Sequence, residues 1–209
     1  MPKLLYIESS PRKDRSTSIS VAHEFIDAYR KSRPRDRVET LDLWNYDLPE
    51  FNGQIINAKY AILHGLDHTP EQAKAWQRVV EVFQYFNSAD KYLFGVPMWN
   101  FGIPYRLKQF IDVITQPGLA FSFSPSEGYK GLVIGKPAVV IYARGGEYKS
   151  GSGSGVYDYQ IPYLETLLAY IGFTDIRSII VEPTLSEPEK IDRVKASAKE
   201  RAANIARTF

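Results

Sequence analysis

Three short stretches of this chain carry side chains able to do chemistry, and each follows an apolar run. The first reads Glu8-Ser9-Ser10-Pro11-Arg12-Lys13-Asp14-Arg15-Ser16-Thr17-Ser18. Hydroxyls at Ser10, Ser16, Thr17 and Ser18 bracket the cations Arg12, Lys13 and Arg15, directly before a segment of helical periodicity. Hydroxyl donors, cations and the free N–H groups of a helix N-terminus together favour a phosphate group. The stretch contains no glycine, so it is neither a Walker A loop nor a dinucleotide fingerprint. Read singly, Ser16 or Thr17 is a simple N-cap and the cations are solvated. It is the cluster that points to an anion.

The second stretch is Val96-Pro97-Met98-Trp99-Asn100-Phe101-Gly102-Ile103-Pro104. It places a flat apolar wall and an amide at the end of the buried run Tyr92–Val96, where a planar heterocycle would bind; the same aromatics could also merely cap a core. The third, Ala143-Arg144-Gly145-Gly146-Glu147-Tyr148, follows the apolar run Pro137–Tyr142. Paired glycines let a backbone pass close to a ligand and present N–H groups to it. Arg144 either offers positive charge there or holds the loop through a carboxylate. Tyr148 either donates its hydroxyl or lies on the surface. Lys149 to Gly155 is rich in Gly and Ser, which reads as a surface loop or a mobile cover.

Hydrophobic periodicity supplies the elements that must position these stretches. Strands are expected at Leu4–Glu8, Arg37–Leu43, Tyr92–Val96, Pro137–Tyr142 and Asp175–Val181. Helices are expected at Ser18–Ser32, from Pro70 to about Asn87, and at Pro104–Thr115, Asp158–Tyr170 and Glu187–Arg207. Thr69-Pro70-Glu71-Gln72 carries an N-cap, Pro at the first helical position and an acid in the first turn. Trp44–His68 reads as an irregular excursion with a short helix at Ala58–Leu63, and Gln116–Gly135 as an insertion. Strands alternating with helices predict one α/β domain over residues 1–209: a doubly wound, five-stranded parallel sheet with helices on both faces. The simplest strand order is flavodoxin-like, 2-1-3-4-5, with a ligand crevice beyond strands one and three. The first two stretches then meet in space.

Composition narrows the partners. The 209 residues carry a formal charge of +2, too small to predict nucleic-acid binding and unlike the acidic balance of proteins that dock on basic redox partners. With no cysteine there is no thiolate nucleophile, disulfide or Cys-ligated metal. The three histidines, His23, His64 and His68, form no liganding pattern, so no metal is expected. No run approaches the roughly 20 apolar residues of a membrane span, and the N-terminus reads as a strand rather than a signal peptide. A cytoplasmic location is therefore expected.

Together the three stretches resemble the FMN-dependent NADH:quinone oxidoreductase and azoreductase family, a branch of the flavodoxin-like fold. The resemblance spans nearly the whole chain and rests on Ser9-Ser10 with Ser16-Thr17-Ser18, on Pro97-Met98-Trp99-Asn100-Phe101, and on Arg144-Gly145-Gly146. It implies that Ser10, Ser16, Thr17 and Ser18 hold the FMN phosphate. It places Met98, Trp99, Asn100 and Phe101 along the flavin ring. Ala143, Arg144, Gly145 and Gly146 would lie beside the pyrimidine edge, where N–H donors stabilise negative charge, with Tyr148 close by. Phe123 and Tyr170 would line the substrate side across a homodimer interface, although both also fit as core aromatics. Some members carry Ser in place of Ala143 and His in place of Tyr148, which removes a side-chain hydrogen bond and leaves a general acid at Tyr148 in doubt.

The implied activity is two-electron, ping-pong reduction of a quinone or azo compound by NADH or NADPH, with the flavin rather than a side chain carrying the reaction. Two rivals compete with it. One is an FMN-binding electron carrier or redox-sensing module without its own NAD(P)H turnover. The other is a phosphoesterase or another phosphate-site protein that binds no flavin.

Overall fold

The computed structural model describes residues 1–148 and 153–209. Among the described residues seven strands form: β1 (Lys3–Glu8), β2 (Arg37–Asp42), β3 (Lys91–Pro97), β4 (Phe121–Ser124), β5 (Gly128–Gly131), β6 (Ala138–Ala143) and β7 (Ile176–Val181). The α-helices are α1 (Thr17–Ser32), α2 (Gly53–Leu63), α3 (Pro70–Asn87), α4 (Tyr105–Ile114), α5 (Ile161–Ile171) and α6 (Pro188–Thr208). Five strands make one parallel sheet in the order β2-β1-β3-β6-β7. This is the anticipated 2-1-3-4-5 arrangement, with β6 and β7 standing as its fourth and fifth strands. A sheet buried on both faces needs apolar side chains in both directions, and Ala138 to Ala143 are accordingly all buried.

The helices divide between the faces. One core joins β1, β3 and β6 to α3, α4 and α5 through Val79, Phe86, Phe110 and Leu164. The other packs α1 and α6 on the opposite face, with Phe25, Tyr29 and the buried alanines Ala198, Ala202 and Ala206 at the contact. Small side chains at intervals of four let two helices approach closely. Thr69 caps α3, as its sequence predicts, and the cap is a complete capping box with Gln72.

Two segments depart from expectation. The excursion after β2 holds a longer helix than its polarity suggests, because Asn52 accepts hydrogen bonds from the Gln54 and Ile55 N–H groups and starts α2 at Gly53. The 116–135 insertion contains the antiparallel hairpin β4–β5, which pairs Phe121 with Gly131 and Phe123 with Tyr129. Its base approaches the end of α5 so closely that a Cβ on Gly131 would lie 2.4 Å from the Gly172 nitrogen. Only glycine fits there.

Every parallel strand ends at the same edge, so Glu8, Pro97, Ala143 and Val181 bring four loops together. Chain direction diverges between β1 and β3, the switch point at which doubly wound sheets open a crevice.

Candidate functional site

Ser9 ties this crevice together. Its hydroxyl donates to the Gly95 carbonyl at 2.7 Å, extending the β1–β3 contact one residue past the strand. Ser10 follows, 1% exposed, and a short 3-10 turn over Lys13–Arg15 leads to Ser16. Ser16 is the N-cap of α1 and accepts the Ile19 N–H. Ser18 is fully buried, its hydroxyl 3.1 Å from that of Ser16. It braces the cap from inside and does not line the cavity that Ser10, Ser16 and Thr17 share.

The β3–α4 loop is a tight turn. Trp99 and Gly102 exchange backbone hydrogen bonds of 3.0 and 2.9 Å, and Asn100 and Phe101 between them adopt φ of +46° and +69°. A left-handed conformation costs an L-residue about 1–2 kcal/mol, and the loop carries it at two successive non-glycine positions. The turn holds its rings outward: Phe101 is 45% exposed. Trp99 is braced from behind by Trp44 and Tyr105, with ring centroids 5.7 and 6.1 Å away. Trp44 is itself fixed by its indole N–H, which donates to the Ser9 carbonyl at 2.9 Å. An isolated Trp in an aperiodic stretch gave no sign of this.

The β6 loop settles the question of Arg144. The side chain is 1% exposed and donates from Nη2 to Asp158 at 2.8 Å, from Nη1 to Glu182 at 3.3 Å, and from Nε to Gln160 at 3.0 Å. Gln160 in turn donates to the Val96 carbonyl, and Glu182 accepts the Tyr148 N–H. Two carboxylates neutralise the guanidinium, so Arg144 offers no free charge to a ligand and instead locks the loop. Tyr148 lies over Gly146 and beside Phe101, with ring centroids of the two aromatics 6.4 Å apart. Among the described residues no protein acceptor is present for the Gly145 and Gly146 N–H groups. The cover read at Lys149–Gly155 falls partly on residues 149–152, outside the described residues.

One cavity of about 300 Å³ joins the three loops. Ser10, Ser16 and Thr17 line one part of it, and Met98, Trp99, Ala143 and Gly145 another. Arg12 and Arg15 reach the same space, whereas Lys13 turns away to Glu8 at 2.6 Å and Asp42 at 2.5 Å. Thr184, Leu185, Ile191 and Lys195 complete the lining, from a side the sequence reading did not identify. A second cavity, about 690 Å³, lies beyond Trp99 and Asn100 among Phe51, Tyr105, Tyr159 and Tyr163. Phe123 and Tyr170 are in neither. They cluster with Phe121 and Tyr129, and Tyr170 stands 5.0 Å from Phe121 near the far end of α5. A six-residue strand spans about 20 Å, so one chain keeps Tyr170 well away from its own crevice.

These residues fit FMN. A hydroxyl cup at a helix N-terminus, with cations that have no carboxylate partner among the described residues, matches a phosphate, and an adjoining aromatic wall with free backbone donors among those residues matches a flat, polar-edged ring. Ala143 contributes only its backbone, and its carbonyl is already taken by the Met98 N–H at 2.8 Å.

Comparison with known proteins agrees. The flavodoxin-like fold family matches residues 2–205. An FMN-dependent NADH:quinone oxidoreductase of Desulfotalea psychrophila is 53% identical over 207 residues, covering 99% of this chain and 97% of that protein. One of the same name from Nitratidesulfovibrio vulgaris is 47% identical over the full length of both. Among solved structures, an azoreductase from Bacillus anthracis str. Sterne superposes with a TM-score of 0.92 at 30% identity, covering 100% of each chain. An FMN-dependent NADH-azoreductase from Bacillus anthracis str. Ames Ancestor, in complex with FMN, has a TM-score of 0.87 at 27% identity and covers 99% of this chain and 100% of that one. The chain thus belongs to the flavodoxin-like family, within its branch of FMN-dependent NADH:quinone oxidoreductases and azoreductases.

Proposed function

We propose that this chain is an FMN-dependent reductase that takes electrons from NADH or NADPH and passes them to quinones and azo compounds, the reductant and acceptor using the site in turn. The observation that carries the reading is the single cavity in which the β1 loop's hydroxyls meet Met98, Trp99 and Gly145. Ser10, Ser16 and Thr17 would hold the phosphate; Met98 and Trp99, with Asn100 and Phe101 on the turn, would flank the ring. The bound flavin supplies the hydride chemistry.

The chain's own residues bind, orient and exclude water. Trp99, backed by Trp44 and Tyr105, presents a rigid apolar wall. The Gly145 and Gly146 N–H groups, on the loop that the Arg144 network locks, would donate to an electron-rich ring edge. Preorganised donors cost no rearrangement when charge develops opposite them.

A homodimer belongs to the same proposal. Tyr105, Tyr159 and Phe123 are 63%, 62% and 61% exposed, apolar surface that a second copy of the chain would cover. Phe123 and Tyr170, remote from their own crevice, would then face the partner's site.

Freshly purified protein, or protein titrated with FMN, should show a bound-flavin visible spectrum. Anaerobic mixing with NADH should bleach that spectrum rapidly, and an added quinone should restore it. Flavin binding without bleaching would instead support the electron carrier. A protein that binds no FMN would return the site to a phosphate-handling role. Sedimentation velocity should give twice the chain mass.

A further inference from the structure

The crevice has one wall that the three motif loops do not supply. Lys195 lies on α6, the terminal helix, and lines the same cavity as Ser10, Ser16 and Thr17. Arg12 and Arg15 line it too, and no Asp or Glu does. Among the described residues, none of these three cations has a carboxylate within ion-pair distance. Their neighbours in sequence behave otherwise. Lys13 is paired with Glu8 and Asp42, and Lys190, earlier on α6, lies 2.7 Å from Glu147. Like charges gathered around a small cavity repel, and a fold tolerates them where a ligand of opposite sign compensates.

We infer that Lys195 is a phosphate-binding residue, with Arg12 and Arg15, making the site select a dianionic phosphomonoester over an unphosphorylated flavin. The inference rests on the FMN reading above and adds α6 to the binding machinery. A phosphomonoester carries close to two negative charges at neutral pH, with its second ionisation near pH 6. The hydroxyls and the α1 N-terminus supply directed donors but no full charge. Lys195 is only partly exposed, so its ammonium is screened less by salt than a free surface lysine. α6 also places Ile191 one turn before Lys195, and Ile191 lines the same cavity. The two residues therefore face the ligand together, as the i, i+4 spacing of a helix demands.

The test compares FMN with riboflavin, which share the ring and differ in the phosphate. Each flavin is titrated into the full-length chain freed of bound flavin, at low and high salt, using wild type, Lys195→Met and Lys195→Arg. Met keeps the apolar stem and removes the charge. Lys195→Met should weaken FMN about tenfold or more, leave riboflavin unchanged, and flatten the salt dependence of FMN binding. Lys195→Arg should recover most of the affinity. Arg15→Met, on a separate element, should show the same FMN-specific loss. The inference is overturned if Lys195→Met binds FMN as wild type does with the same salt response, or if it weakens both flavins equally. Wild type that binds neither flavin would remove the FMN reading itself, and this inference with it.

Discussion

Arg144 and Arg12 sit on two loops at one edge of the same sheet, with the β3 loop between them, yet they do opposite things. Arg144 is buried and saturated, with Asp158, Glu182 and Gln160 all accepting from it. Arg12 is exposed, lines the cavity and has no carboxylate partner among the described residues. Residue type and loop position therefore do not decide whether a cation builds the scaffold or serves a ligand. Partner supply does. A guanidinium surrounded by the protein's own carboxylates has its charge cancelled in place, whereas one without them leaves a field for something else to neutralise.

The sharpest way to break this contrast is Arg144→Ala. It leaves Asp158 and Glu182 largely buried without a counter-charge, at 15% and 8% side-chain exposure. Losing one partner of a buried network costs about 3–5 kcal/mol, so urea unfolding should show a loss of that order. Lys should rescue only part, because an ammonium cannot fork to three acceptors in the guanidinium's plane. A loss below about 1 kcal/mol would mean that the network binds nothing together, and Arg144 would return to the list of ligand-facing residues.

Lys13 stands between these extremes and provides a finer test. For both Lys13 and Asp42, burial is the largest single influence and works against charge. Their mutual hydrogen bond, with Glu8 on one side and the Trp44 N–H and Asn45 on the other, outweighs it. The Asp42 carboxyl is therefore held below its ordinary 3.8 and the Lys13 ammonium above its ordinary 10.5. A depressed carboxyl pKa contributes stability above the ordinary carboxyl range, lost as pH falls through the lowered value. A raised ammonium pKa contributes stability below its ordinary value, lost as pH rises through the raised one. Lys13→Met should therefore differ most from wild type between about pH 5 and pH 10 and converge with it at both extremes. The Lys13 side chain is 42% exposed, so screening keeps the difference under about 1 kcal/mol and salt reduces it further.

The sequence conveyed the frame and two of the three motif loops well, for identifiable reasons. Buried parallel strands are short apolar runs, and the order around the switch point follows from right-handed crossovers, so Ser10 and Trp99 could be placed together before any coordinates. Other features had weaker signals. Phe121-Ser122-Phe123-Ser124 alternates for only four residues, too few to stand out, although Glu127-Gly128 marks the turn that follows. α6 reads as a solvated, charge-alternating helix, so nothing in its periodicity sets Lys195 apart from Lys190 or Lys199. Ser18 fits the phosphate pattern by type and position but is turned inward by helical geometry, since the residue two beyond an N-cap points elsewhere than the cap. Arg144 was left between two roles because its partners, Asp158 and Glu182, lie 14 and 38 residues away. Long-range pairing of this kind is a property of the fold, and no local pattern encodes it.

The smallest expected effect completes the comparison. If Arg12 and Arg15 serve a ligand and not the scaffold, replacing both with Met should leave the unfolding free energy of the flavin-free chain within about 0.5 kcal/mol of wild type. It could even rise slightly, because two of the three like charges around one cavity are removed. With FMN added, the same pair of substitutions should lower the melting temperature relative to wild type at the same FMN concentration, since ligand stabilisation grows with the logarithm of free ligand concentration over Kd. The sign thus depends on the ligand: neutral or favourable without it, unfavourable with it. Arg144→Ala, by contrast, should be strongly destabilising already without flavin, and no less so with it, because the loop it locks is scaffold first. A double variant that loses several kcal/mol without flavin would show that Arg12 and Arg15 have structural partners after all, and the distinction between the two loops would fail.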